Sequence, residues 1–162
     1  MAQVDYFLKI DGAEGESPDS KHKGEIEVLS FSWAVHQQGT SDRGGGAGAG
    51  KAVFSDFAFV KKVDKSSPKI AAMCASGEPV PNVVLTCRKA GKDQQEYLKI
   101  KFNDVLISSY QIGGSGGHEV IPNDSISLNF SKYEIEYKEQ KADGTLGGSV
   151  KAGYDIKQNQ RV

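Results

Sequence analysis

The sequence predicts a mainly β domain, a closed or nearly closed two-sheet β-barrel with one short α-helix on its side. Three observations predict it. Apolar residues recur at period two in short segments separated by Gly, Asn, Asp and Ser, the pattern of half-buried strands. In two longer segments the apolar residues change parity part-way, as expected where a strand bends from one sheet into a second. Helical spacing, with start and stop signals around it, occurs in one stretch.

Val4–Ile10 places Val4, Tyr6, Leu8 and Ile10 on one face. In Glu25–Gln37, Ile26 and Val28 share one parity, while Leu29, Phe31, Trp33 and Val35 share the other. The second set is expected in the core, which leaves Ser30, Ser32, Ala34 and His36 opposite. Val53–Val63, Val83–Lys89, Tyr97–Asn103 and Val105–Ile112 follow as strands, with Ala90-Gly91-Lys92-Asp93 as a hairpin turn. Ser125–Tyr137 repeats the parity switch, from Ile126, Leu128 and Phe130 to Tyr133, Ile135 and Tyr137, and Val150–Ile156 is the last strand. About seven or eight strands of this kind suit a barrel, which also removes exposed edges. The helix falls within Asp64–Gly77: Ser67 suits an N-cap, Pro68 the first helical position and Gly77 the stop. Ile70, Met73 and Cys74 lie at i, i+3 and i+4 and form the stripe that packs on the barrel.

A length of 162 residues suits one domain spanning 1–162. Lys plus Arg number 20 against 21 Asp plus Glu, so the positive excess that phosphate-backbone binding requires is missing and no nucleic-acid partner is expected. The longest apolar runs, such as Val83-Val84-Leu85, are far too short to span a bilayer, so no membrane insertion is expected. The start Met1-Ala2-Gln3-Val4-Asp5 has no basic or apolar signal region, and synthesis in the cytoplasm without a cleaved signal peptide is the expectation. Cys74 and Cys87 are too few for a disulfide scaffold and are read as reduced thiols.

Several motifs fail on context. Gly45-x-x-x-x-Gly50-Lys51 approaches a P-loop, yet Ala52 replaces the metal-binding Ser or Thr and a strand follows where a helix is needed. Gly44-x-Gly46-x-x-Ala49 lacks the βαβ unit of a dinucleotide site. His22, His36 and His118 have no metal-ligand neighbours at short spacing, and the pairs Glu25/Glu27 and Glu134/Glu136 read as solvated strand faces. No catalytic residues, cofactor or metal are therefore expected. The glycines stand out: of 19, five fall in Gly44–Gly50 and four in Gly113–Gly117. Such a tract loses much backbone entropy on ordering, so an extended glycine-rich loop at about 40–52 is either mobile or ordered by a partner.

Eight blocks, in order along the chain, resemble the hemolysin-coregulated protein family. They are Glu25–Trp33, Gly44–Lys51, Asp64–Pro68, Arg88–Gly91, Ser115–Gly117, Ser127–Phe130, Gln140–Gly144 and Gly153–Lys157. The resemblance implies a structural tube subunit of the bacterial type VI secretion system, related in fold to the tail-tube proteins of contractile phages and not an enzyme. It implies homohexameric rings stacked into a tube, with a contractile sheath, a spike tip protein of the valine-glycine repeat family and small effector proteins as partners. Export to the extracellular space or a target cell, without a cleaved signal peptide, is also implied. Under this reading Gly44, Gly45, Gly46, Ala47, Gly48, Ala49, Gly50 and Lys51 form a ring-stacking loop. Ser30, Ser32, Ala34 and His36, small or weakly polar and opposite the core, are candidate lumen residues that contact effectors. The competing reading is a monomeric or oligomeric β-barrel that binds a small ligand, which needs a large apolar interior.

Overall fold

Residues 4–39, 49–89, 93–117 and 120–162 are described by the computed structural model. Along the chain they form β1 (Val4–Ile10), β2 (Ile26–Glu27), β3 (Ser30–Ser32), β4 (Val35–Gly39), β5 (Ala49–Phe54), β6 (Phe57–Lys62), α1 (Ser66–Ser76), β7 (Pro79–Lys89), β8 (Glu96–Gly113), β9 (Asn123–Asn129), β10 (Lys132–Gln140), β11 (Leu146–Asp155) and β12 (Gln160–Arg161). One run of hydrogen-bonded neighbours is β12-β11-β10-β8-β7-β1-β2, and β8 also continues through β9 and β6 to β3. Strands β4 and β5 pair only with each other, as a separate two-stranded ribbon.

The expected long strands turn corners in different ways. Glu25–Gln37 is three short strands, each with its own partner: β2 on β1, β3 on β6, β4 on β5. Ser125–Tyr137 breaks at Phe130-Ser131 into β9 and β10. The two strands expected on either side of Asp104 are instead one 18-residue strand, β8, which pairs with β7 and β10 along its first part and with β9 along its second. Asp104 adopts a left-handed φ of 51° there, a conformation Asp tolerates better than most residues. The buried parity flips at that bend, from Ile100 and Phe102 to Val105 and Ile107 on β8 and from Val83 to Val80 on β7.

The barrel ladder does not close. Between β1 and β6 the chain crosses obliquely at Val28-Leu29, held by the Val28 N–H to the Tyr6 carbonyl (3.0 Å) and the Leu29 N–H to the Val60 carbonyl (2.8 Å). That crossing corrects two expected core residues. Leu29 is 50% exposed, and Val35, where the ribbon leaves the barrel, is 44% exposed. Phe31 and Trp33 do pack against the core. The interior is filled by aromatic rings: Phe57 to Phe102 is 4.9 Å between centroids, Phe102 to Phe130 4.6 Å, and Trp33 to Tyr133 4.6 Å. Among the described residues, a core packed in this way encloses no large apolar chamber of the kind a small-ligand carrier requires.

Helix α1 begins one residue before the expected cap. Ser67 lies inside it, and the Ser66 N–H donates to Asp64 Oδ1 (2.9 Å) instead. Gly77 stops the helix in the left-handed conformation, φ 68°, with N–H groups of Gly77 and Glu78 returning to the Cys74 and Met73 carbonyls. Ile70 and Met73 are buried, and Cys74 is half-buried against the core. Ile70→Ala is expected to lower stability by about 2–5 kcal/mol, because a fully buried side chain is replaced by a cavity. Chemical denaturation reads this directly.

Candidate functional site: a serine face and a ribbon

Strands β3, β6, β9 and the second half of β8 lie side by side, and the residues pointing away from their core form cross-strand rows. Ser32, Ala58, Ser127 and Ser109 make one row. Ser30, Val60, Ser125 and Gln111 make the next. Together they line a shallow concavity of about 670 Å³ in which no lining residue is charged. Charged residues make up 25% of the chain, so a neutral face across four strands is a marked departure.

Ser30 and Ser32 were legible from the parity of the first long segment, whereas Ser109, Gln111, Ser125 and Ser127 were not recognised. In β9 the alternation of Ser125 and Ser127 with buried Ile126 and Leu128 carries the signal. In β8 the signal is hidden by a bulge. The register against β9 shifts between Ile107 and Ser109, which turns Ser109 and Gln111 outward although they share Ile107's parity, and brings Tyr110 inward.

Beneath one end of this face lies a buried ionic cluster that holds β6, β9, β8 and α1 in place. Lys61 and the Asp124 side chain are fully buried. Lys61 Nζ donates to Asp124 Oδ2 (2.9 Å), Asp64 Oδ1 (3.0 Å) and Ser67 Oγ (2.7 Å). Asp124 Oδ2 also accepts from Ser67 Oγ (2.6 Å) and the Tyr110 hydroxyl (3.0 Å). Burial first, and then the hydrogen bond to the Asp124 carboxylate, push the Tyr110 phenol above its ordinary value. Val60 and Ser125 precede and follow the two charged partners, so the cluster fixes the strand ends that carry the second row.

The other two expected lumen residues lie elsewhere. Ala34 sits half-buried at the joint where the ribbon leaves the barrel, its N–H donating to Ser55 Oγ (2.8 Å). The Trp33 indole N–H donates to the Ser55 carbonyl (3.0 Å) at the same joint. His36 is exposed on the ribbon, opposite Val53. Phe54 anchors the ribbon against Tyr133 and Tyr154, with centroids 5.8 and 5.7 Å away. Of the expected ring-stacking residues, Ala49, Gly50 and Lys51 open β5, and Lys51 is exposed. Gly44, Gly45, Gly46, Ala47 and Gly48 lie outside the described residues.

A family model described as "Type VI secretion system effector, Hcp" matches residues 7–137. The chain belongs to the Hcp family. It is 46% identical over 158 residues to Protein hcp1 of Pseudomonas aeruginosa, with 96% of this chain and 97% of that protein covered. The Hcp fold described above superimposes on the crystal structure of Hcp1 from Salmonella typhimurium with a TM-score of 0.85 and 39% identity, covering 99% of this chain and 100% of the other. A solved type six secretion system protein aligns with a TM-score of 0.93 and 32% identity over 98% of this chain and 99% of its own. This Hcp chain is therefore a type VI secretion protein with the mainly β fold of its family. Among the described residues no helix is long and apolar enough to cross a membrane.

Proposed function

We propose that this Hcp chain is a non-enzymatic tube subunit that closes into homohexameric rings, stacks them through the ribbon, and carries small effectors against the serine face. The observation that carries the reading is kinship with Hcp proteins along almost the whole chain. Export by the type VI apparatus, beneath a spike tip protein of the valine-glycine repeat family and inside a contractile sheath, follows from the same kinship.

Two features support assembly. On β8, β10 and β11 the row Ile100, Ile135 and Ala152 runs from the core toward solvent, and the next row, Leu98, Tyr137 and Val150, emerges from it. Tyr137 is 47% and Val150 71% exposed, so an apolar sheet face continues past the barrel that it helps to fill. A head-to-tail contact that buries such a face closes into a ring when its rotation fits. The ribbon is the second feature: it projects from the barrel on a joint of Trp33, Ala34 and Ser55 and keeps Val53 60% exposed.

The neutral serine face suits a water-filled channel, since hydroxyls hydrogen-bond varied surfaces without committing to one charge. In this arrangement Ser30 and Ser32 line the lumen, and Ala34 and His36 belong to the ribbon and its joint. Ser32→Trp places a bulky ring at the β3 end of the row Ser32, Ala58, Ser127 and Ser109 and is expected to leave rings intact while lowering the amount of co-purifying effector. Quantitative mass spectrometry of co-purified protein, with ring mass checked by light scattering, tests it. Unchanged effector recovery on intact rings would remove the serine face from the proposal.

A further inference from the structure

Residues 14–25 form a strap, and its Asp19–His22 part lies over the outer face of β1 and β7, against Phe7 and Arg88, on the opposite side of that sheet from the core. The strap closes on itself through the Gly15 N–H to the Gly24 carbonyl (2.8 Å), the Gly24 N–H to the Ser17 carbonyl (2.9 Å) and the Ser17 N–H to the Glu25 carbonyl (3.0 Å). Gly15 is required there, because a Cβ would lie 2.5 Å from the Glu25 carbonyl oxygen. Under the strap the His22 ring stacks on Phe7, with centroids 4.4 Å apart and planes at 8°. Both ring nitrogens meet carboxylates: Nδ1 is 2.7 Å from Glu25 Oε2 within the strap, and Nε2 is 2.7 Å from Glu96 Oε1 on β8. Only the imidazolium has two N–H donors, so only the charged ring satisfies both contacts.

We infer that His22 is a proton-dependent clasp that fastens the strap to β8 through Glu96. A second fastening does not depend on this proton. Arg88 donates to Asp19 through both terminal nitrogens (3.0 and 2.7 Å) and to Asp5 (3.1 Å), and its Cζ lies 4.7 Å from the Phe7 ring centroid. The hydrogen bond from Arg88 holds the Asp19 carboxyl down at about 2, so that anchor stays ionised wherever histidine titrates. The charged groups on the elements packed around the ring are Asp19, Lys21, Lys23 and Glu25 from the strap, Asp5 and Lys9 from β1, Glu27 of β2, which is paired with Phe7, Arg88 from β7, and Glu96 and Lys99 from β8. Loss of the ring proton sets a nitrogen lone pair against one carboxylate at hydrogen-bond distance. The clasp contributes while the ring is protonated and the carboxylates are ionised, and its contribution is lost as the pH rises and the proton leaves. The strap then loosens over Phe7 and Arg88, each 3% exposed when it is closed, while the Arg88–Asp19 anchor keeps it tethered.

The test is amide hydrogen exchange on the full chain as a series from about pH 5.5 to about pH 8.5, corrected for intrinsic exchange. Protection at Gly15, Ser17 and Gly24 is expected to fall about tenfold more than protection at Val84 and Leu85 of β7, the scale of one charge-assisted hydrogen bond. Glu96→Gln, which keeps the size of the side chain and a hydrogen-bond acceptor, is expected to remove most of that pH dependence without unfolding the barrel. Equal changes in strap and β7, or full pH dependence in Glu96→Gln, would reduce His22 to a packing residue and overturn the inference.

Discussion

Asp124→Ala is expected to destabilise the fold by about 3–5 kcal/mol, because it removes one partner of a fully buried ion pair and leaves the Lys61 charge in the protein interior. The loss extends beyond the pair, since Ser67 and Tyr110 donate to the same carboxylate oxygen. Asp64, 3.0 Å from the Lys61 ammonium and 15% exposed, compensates only in part. A double variant, Lys61→Met with Asp124→Leu, discards both charges and is expected to be clearly more stable than Asp124→Ala alone. Chemical denaturation of both variants gives the comparison. If Asp124→Ala loses less than about 1 kcal/mol, the cluster is not what holds β6, β9 and α1 together.

The second large effect concerns assembly. Shortening Gly44–Gly48 to two glycines leaves both paired strands of the ribbon, including Ala49 opposite Gly39, in place. The barrel and its rings are expected to persist, while stacked tubes and export are lost. Ordering a glycine tract is entropically unfavourable, and contact with a neighbouring ring is what offsets it in the proposed assembly. Lys51 adds little to this expectation, since an exposed ion pair at the ribbon contributes only about 0–1 kcal/mol. Micrographs and a secretion assay on the same variant decide the point. Tubes and export at the parent level would make the segment an inert excursion.

Much of the architecture was legible because period-two patterning records burial directly. Val4–Ile10 was located to the residue, and the helix stop at Gly77 followed from its conformational freedom. What the pattern could not carry was the way the strands turn. A parity switch looks the same in sequence whether the chain bends within one strand or breaks into two, and Asp104 and Phe130-Ser131 resolve it in opposite senses. The oblique crossing at Val28-Leu29 exposes a leucine that alternation assigns to the core. The site was half legible for the same reason. Ser30 and Ser32 share a face by simple alternation, but His36 lies beyond the Trp33–Ser55 joint on another element, and the bulge at Ser108 conceals Ser109 and Gln111. The paired charges under the face were invisible locally, because Lys61 and Asp124 are 63 residues apart.

Negative-stain electron microscopy of the purified full chain, with light scattering on the same sample, tests the tube-subunit reading most directly. The reading predicts six-fold rings with a central hole and a mass of about six protomers, stacking as concentration rises. A field of isolated barrels, with one protomer mass at concentrations on the order of tens of micromolar, would contradict it.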